Sequence, residues 1–240
     1  MIVRPHPWVS GCLELDHAGD LTALAPFRAG KFLVQDPAAR LVSQIAGVEP
    51  GIRVQDVCAA PGGKSFAAAF AMENEGHILS CDLHENKLKR IREGAQRLGV
   101  TCIETACADG RVFREEWAGR FDTVVCDVPC SGLGIIRKKP DIRYKDVQEF
   151  SALPEIQRAI LENSARYVRP GGGLVYSTCT VLPEENENVT DAFLSSHPEF
   201  IYEEFSLPNG EAAPGYLTLW PQRSGTDGFY LSRMRRREHD

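Results

Sequence analysis

The sequence contains no run of about 18 apolar residues, which argues against a membrane-spanning helix, and its opening stretch MIVRPHPWVSGCLEL has no apolar signal core. A cytoplasmic protein that does not enter a membrane is the expectation. There is no Cys-x-x-Cys pair among cysteines 12, 58, 81, 102, 107, 126, 130 and 179. Zinc-site spacings are therefore absent, and no metal is expected. Most of these thiols fall in apolar, strand-like stretches, where free cysteine packs as a small hydrophobe in a reducing compartment. Excess positive charge is missing too. Lys and Arg number 27 against 33 Asp and Glu, a net charge of −6, which argues against autonomous nucleic-acid binding through a broad basic footprint. Basic contacts would fall to the local clusters Arg137-Lys138-Lys139 and Arg233 with Arg235-Arg236-Arg237, and such runs are commonly just solvated faces. No internal repeat or low-complexity segment is present, so repeat architectures are excluded.

What remains is an ordinary globular chain of 240 residues, 43% hydrophobic and 25% charged, long enough for one domain with a real core. From residue 52 onward apolar runs alternate with helical patterns, which predicts βαβ units and a Rossmann-like α/β fold. The expected sheet is mostly parallel and twisted, with about seven strands, helices on both faces and a C-terminal antiparallel hairpin. Strands are predicted at Ile52–Cys58, His77–Asp82, Thr101–Ala106, Phe121–Val128 and Leu174–Ser177. Helices are predicted at Ser65–Met72, Glu85–Leu98, Pro154–Val168 and Glu184–Ser195, the third ended by Arg169-Pro170-Gly171-Gly172-Gly173. The hairpin pairs Tyr216–Trp220 with Phe229–Arg233. Residues 1–35 read as a short lip with small strands, remnant of a preceding subdomain, and residues 36–240 as the main domain, with Asp36 capping a helix through Ile45.

Between the first main strand and its helix lies Asp56-Val57-Cys58-Ala59-Ala60-Pro61-Gly62-Gly63-Lys64-Ser65. Open α/β sheets bind ligands at such a place, and a glycine turn feeding a helix N-terminus offers unpaired N–H groups to an anion. Gly63-Lys64-Ser65 resembles the end of a P-loop, and Val124-Val125-Cys126-Asp127 resembles the strand and acid that hold its magnesium. An NTPase is therefore the rival reading. That pattern requires glycine at position 58, where this chain has Cys58, and Pro61 would remove one cradle N–H. Asp82 closes the second strand and could accept from both ribose hydroxyls of a nucleoside cofactor. Asp109, after the third strand, could accept from an adenine amino group, and Asp127 closes the fourth. One aspartate at a strand end is usually a turn residue; three in successive units favour a cofactor site.

Methylating C5 of a cytosine requires temporary loss of aromaticity, through addition of a thiolate at C6. A base must then remove the C5 proton so that the sulfur can leave. Cys130 in Asp127-Val128-Pro129-Cys130-Ser131-Gly132 and Cys179 in Tyr176-Ser177-Thr178-Cys179-Thr180 both follow predicted strands at the ligand edge. Each alone reads as a packed thiol. Their shared edge with the cofactor loop favours chemistry, although spacing does not divide the roles between them.

At these residues the chain resembles the Nop/Sun family of RNA cytosine-5 methyltransferases. The likeness runs from Lys31-Phe32-Leu33-Val34-Gln35-Asp36 through Cys58–Lys64, Asp127–Gly132, Arg137-Lys138-Lys139-Pro140-Asp141-Ile142 and Ser177–Asn186 to Asp227-Gly228-Phe229-Tyr230. The resemblance implies a class I methyltransferase fold with S-adenosylmethionine as cofactor and RNA, ribosomal RNA above all, as substrate. It implies that Cys179 is the nucleophile, that Cys130 assists product release, and that Asp127 helps to orient the cytosine. The cofactor would lie against Cys58, Ala59, Ala60, Pro61, Gly62, Gly63, Lys64, Asp82, Asp109 and Asp127. The 137–143 loop is a candidate for phosphate contacts, with Tyr144 available for stacking. Family members usually carry an RNA-binding region before this domain, so a further N-terminal domain or a partner protein is expected to complete the RNA surface. A non-catalytic cofactor-binding scaffold for RNA assembly is the second alternative.

Overall fold

Successive side chains of the central apolar runs go to opposite sides. Val124, Leu174, Tyr176 and Tyr230 enter one core, while Val125, Val175 and Leu231 enter another. A sheet with period-two burial on both faces must be covered by helices on both faces, and that requirement fixes the layers.

The computed structural model describes residues 1–238. In chain order the elements are β1 (Ile2–Pro5), β2 (Leu13–Asp16), α1 (Ala25–Arg28), α2 (Pro37–Ile45), β3 (Arg53–Asp56), α3 (Gly63–Ala71), β4 (His77–Asp82), α4 (Glu85–Leu98), β5 (Ile103–Cys107) and β6 (Phe121–Asp127). There follow α5 (Leu153–Ala165), β7 (Val168–Thr178), α6 (Glu187–Ser196), β8 (Phe200–Tyr202), β9 (Phe205–Ser206), β10 (Ala212–Ala213), β11 (Tyr216–Leu219), α7 (Pro221–Ser224) and β12 (Phe229–Arg236). The main sheet runs β11-β12-β7-β6-β3-β4-β5, with β8 paired to β12. β3 to β7 are parallel; β8, β11 and β7 each run antiparallel to β12. The strand order reverses between β3 and β6, so the carboxyl ends of those strands form the crevice where such sheets take ligands.

Local chemistry explains the covering helices. Asp36 caps α2 by accepting from Ala38 N, with Pro37 at the first helical position. α4 buries Leu88, Ile91 and Ala95 at helical spacing and keeps its charged face in water. On the opposite face α5 and α6 bury Leu161 and Phe193, each removing apolar surface worth roughly 2 kcal/mol.

Two expectations need correction. β7 begins at Val168, so Arg169–Gly173 lies within the strand instead of ending a helix. Phe121 pairs Val168 and Thr123 pairs Gly173, so the intervening residues bulge from the ladder and re-aim the strand. The arginine-rich tail is not a solvated end through position 236. It continues β12, held on one side by β7 and on the other by β8, with Arg233 and Arg235 each donating to Glu203 at 2.7 Å. The N-terminal residues form the β1–β2 hairpin and are tied back by Trp8 Nε1 donating to the Ser224 carbonyl.

Candidate active site

The loop between β3 and α3 is shaped by its own backbone. Val57 N donates to the Val125 carbonyl, Ala59 N to Cys81, and Gly62 N to Ala59. Gly62 sits at φ +108, and a Cβ there would lie 2.5 Å from Phe66 Cζ, so the turn needs glycine. α3 then starts without a side-chain cap, which leaves its first amides for an anionic group. Beneath the loop Asp56 is buried and accepts from Ser65 Oγ (2.7 Å), which itself accepts from Ser80 Oγ (2.8 Å). Burial pushes the Asp56 carboxyl up to about 6, although the Ser65 bond and Lys64 oppose it. The Cys58 thiol is driven well above its ordinary value by burial, which makes it inert.

Asp82 closes β4 nearly buried. His84 N donates to its Oδ1 at 3.0 Å and Lys87 Nζ approaches the same oxygen at 3.6 Å, while Oδ2 has no side-chain or backbone partner among the described residues. Asp109 accepts from Arg111 N and Nε at 2.9 Å and from Nη2 at 2.7 Å, and those hydrogen bonds hold its carboxyl below the usual range. Uncapped amides, an unpartnered carboxylate oxygen at the next strand end and a close-approach glycine suit a nucleoside cofactor that carries an amino-acid moiety.

At the ends of β6 and β7, Asp127 and Ser177 are register partners, and Ser177 Oγ donates to Asp127 Oδ1 at 2.8 Å. Lys64 reaches across from α3 to place Nζ 2.5 Å from Asp127 Oδ2. Burial alone would lower the Lys64 amine, but the Asp127 carboxylate outweighs it and the group stays cationic. Cys130 Sγ and Cys179 Sγ lie 3.3 Å apart. The hydrogen bond from Cys130 lowers the Cys179 thiol below its ordinary value against burial, with Lys64 adding a favourable charge; the same contact and burial push Cys130 well above. Of the two thiols Cys179 is therefore the more readily ionised and Cys130 the less. Gly134 fixes the Cys179 backbone: its N–H donates to the Cys179 carbonyl at 3.0 Å, and its own carbonyl accepts from Gly228 N at 2.9 Å. A Cβ on Gly134 would lie 1.9 Å from the Gly228 carbonyl oxygen.

Cys130, Cys179, Asp127 and Lys64 are thus brought together, with the Cys58–Gly63 loop beside them, while Asp82 and Asp109 stand at the neighbouring strand ends. The expected phosphate role of the 137–143 loop needs correction at its first two residues. Lys138 Nζ lies 2.5 Å from Asp36 and 2.7 Å from Asp227, and Arg137 bonds the same two acids. Their charge is spent on this cluster; Lys139, Arg143 and the exposed Tyr144 remain at the surface. Sequence reasoning missed Asp56 and Ser177 as parts of the site. Period-two burial hints that Ser177 and Asp127 share a face, whereas nothing local signals the other contacts. The NTPase reading also falls. Ser65 Oγ, which a P-loop would give to magnesium, is buried on Asp56, and Lys64 is held by Asp127.

Comparison with known proteins bears on the family and the fold. Residues 45–235 match the family model described as 16S rRNA methyltransferase RsmB/F. A probable ribosomal RNA small subunit methyltransferase B of Bacillus subtilis is 42% identical over 220 residues, 88% of this chain and 49% of that protein; the chain spans about half the length of the curated relatives it matches. A methyltransferase homologue from Pyrococcus horikoshii superposes with a TM-score of 0.81 at 28% identity, over 98% of this chain and 78% of that one. NSun6 from Pyrococcus horikoshii with SFG gives 0.77 at 26% identity, over 95% and 58%. The sheet and these likenesses agree on a Rossmann-like methyltransferase fold that binds S-adenosylmethionine, and the chain belongs to the 16S rRNA methyltransferase RsmB/F family.

Proposed function

We propose that the chain transfers a methyl group to C5 of a cytosine in small-subunit ribosomal RNA through a covalent adduct on Cys179. The observation that carries this reading is the thiol pair, 3.3 Å apart, in which contact with Cys130 and the charge of Lys64 favour ionisation of Cys179. When bound, S-adenosylmethionine supplies the electrophilic methyl group. The α3 amides and the Cys58–Lys64 loop would hold its carboxylate, Asp82 its ribose hydroxyls and Asp109 its adenine amino group.

The Cys179 thiolate adds to C6 of the cytosine, forming a C–S bond and moving the ring electrons toward C5, which becomes nucleophilic. Asp127, oriented by Ser177 and Lys64, accepts from the cytosine edge and stabilises a protonated N3. After C5 carries its methyl group, loss of the C5 proton to a base returns an electron pair to the ring, breaks the C6–S bond and releases the Cys179 thiolate. Cys130, in contact with the departing sulfur, assists that release.

The test is incubation of the chain with an in vitro transcript of small-subunit ribosomal RNA and labelled S-adenosylmethionine. Labelled 5-methylcytosine from the unaltered chain, and a denaturation-resistant protein–RNA adduct from Cys130→Ala, are the expected results. Cofactor binding with neither product nor adduct would leave a non-catalytic scaffold as the better description.

A further inference from the structure

Behind the two thiols lies a buried polar cluster that the chemistry above does not use. Glu185, in the turn that precedes α6, is 1% exposed, and Gln157 from α5 is fully buried. Gln157 Nε2 donates to the Pro129 carbonyl at 2.9 Å and to Glu185 Oε2 at 2.8 Å, and the same Oε2 accepts from Ser131 N at 2.9 Å. Pro129 C=O and Ser131 N–H are the peptide groups on either side of Cys130, so both are gripped by one pair of side chains. Glu185 is itself anchored to β7, because Tyr176 Oη donates to its carbonyl at 2.6 Å. Ser131 Oγ then ties this turn to the residue after Cys179, donating to Thr180 Oγ1 at 2.8 Å.

The carboxyl group has no cation beside it among the described residues, and its Oε1 has no partner. Burying such a group is unfavourable, and an apolar side chain would fill the space at less cost. What an apolar side chain would not supply is an acceptor aimed at Ser131 N–H. We infer that Glu185, with Gln157, is a positioning residue for product release: it clamps the Pro129-Cys130-Ser131 turn from behind and so holds Cys130 Sγ against the Cys179–C6 bond. Cys179 directly follows β7 and its carbonyl accepts from Gly134 N, whereas the Glu185 and Gln157 side chains bond the turn around Cys130 and no group of Cys179. Loosening the clamp therefore impairs resolution of the adduct more than its formation.

This inference rests on the covalent reading, and Cys130→Ala serves as the control that separates the two. Each variant is incubated with the ribosomal RNA transcript and labelled S-adenosylmethionine, and both adduct and released 5-methylcytosine are quantified. Glu185→Ala is expected to raise the ratio of adduct to product about tenfold over the unaltered chain, short of the roughly 100-fold that a full 1 Å misplacement of a catalytic group can cost. Glu185→Gln, which keeps an acceptor for Ser131 N–H, is expected to restore the ratio. Should Glu185→Ala fail to melt cooperatively, Gln157→Leu, which frees the Pro129 carbonyl, is read instead and is expected to raise the ratio too. A folded Glu185→Ala or Gln157→Leu that loses adduct and product in equal proportion, while Cys130→Ala still accumulates adduct, overturns the inference and leaves a structural brace. Absence of adduct from Cys130→Ala overturns the covalent reading itself, and the inference with it.

Discussion

The two sides of the crevice are built by different means. On the cofactor side the acidic side chains find local partners: Ser65 to Asp56 spans nine residues, His84 to Asp82 two, and Arg111 to Asp109 two. On the thiol side they are distant: Lys64 to Asp127 spans 63 residues, Cys130 to Cys179 49, Ser177 to Asp127 50 and Ser131 to Glu185 54. A local turn forms its geometry wherever its strand and helix form. A constellation gathered from α3, β6 and β7 exists only when the parallel sheet is in register. Perturbations on the cofactor side should therefore stay where they are made, and perturbations on the thiol side should reach the partner residue.

The largest expected effect breaks the thiol side at its centre. Cys179→Ser should lower methyl transfer at least ~1000-fold, because a hydroxyl is not ionised near neutral pH, while cofactor affinity measured by calorimetry stays within about twofold. Retained turnover would place the nucleophile elsewhere. Next comes a pH effect confined to the cofactor side. Burial raises the Asp56 carboxyl from its ordinary value of 3.8 to about 6, so between about pH 4 and 6 the folded state holds a proton that the unfolded state has lost. Stability contributed by this group is thus greatest in acid and falls as pH rises through that window, by an amount on the order of 3 kcal/mol. Asp56→Asn should flatten the urea-derived stability profile there, and an unchanged slope would dismiss the group.

A smaller effect tests communication across the crevice. Lys64→Met removes the charge that favours the Cys179 thiolate, so the rising limb of the pH–rate profile should move to higher pH, with activity at pH 7 down by about 10-fold. A uniform loss without a pH shift would make Lys64 a cofactor contact alone. The smallest effect concerns the ionic cluster beside the site, whose acids are largely buried and whose cations are half exposed. Asp227→Asn leaves Arg137 and Lys138 with Asp36 as their remaining acid, and pairs whose cations stay open to solvent are worth about 1 kcal/mol or less. A fall of a few degrees in melting temperature is expected, with the adduct-to-product ratio unchanged; a changed ratio would join this cluster to the thiol side.

Legibility in the sequence followed the same division. The strand His77–Asp82 and the helix Glu85–Leu98 were readable residue for residue, since their periodicity and end signals are local. The glycine loop and Asp82 could be placed because each adjoins its own strand. The β7 boundary was not readable, because Arg169–Gly173 has the composition of a turn and becomes strand only through pairing with β6. Arg137 and Lys138 looked like free cations because Asp36 and Asp227 lie 101 and 89 residues from them in the chain.

By itself the sequence determined the alternation of strand and helix, the glycine turn and the two thiols at strand ends, since a period of two or 3.6 and a backbone that needs glycine are properties of neighbouring residues. Only the tertiary structure decided that Cys130 and Cys179 touch, that Lys64 leans on Asp127, and that Glu185 and Gln157 grip the turn around Cys130. Those contacts join segments 28 to 63 residues apart. What brings them together is the parallel register of β6 on β7 and the packing of α5 beneath it, which no local pattern encodes.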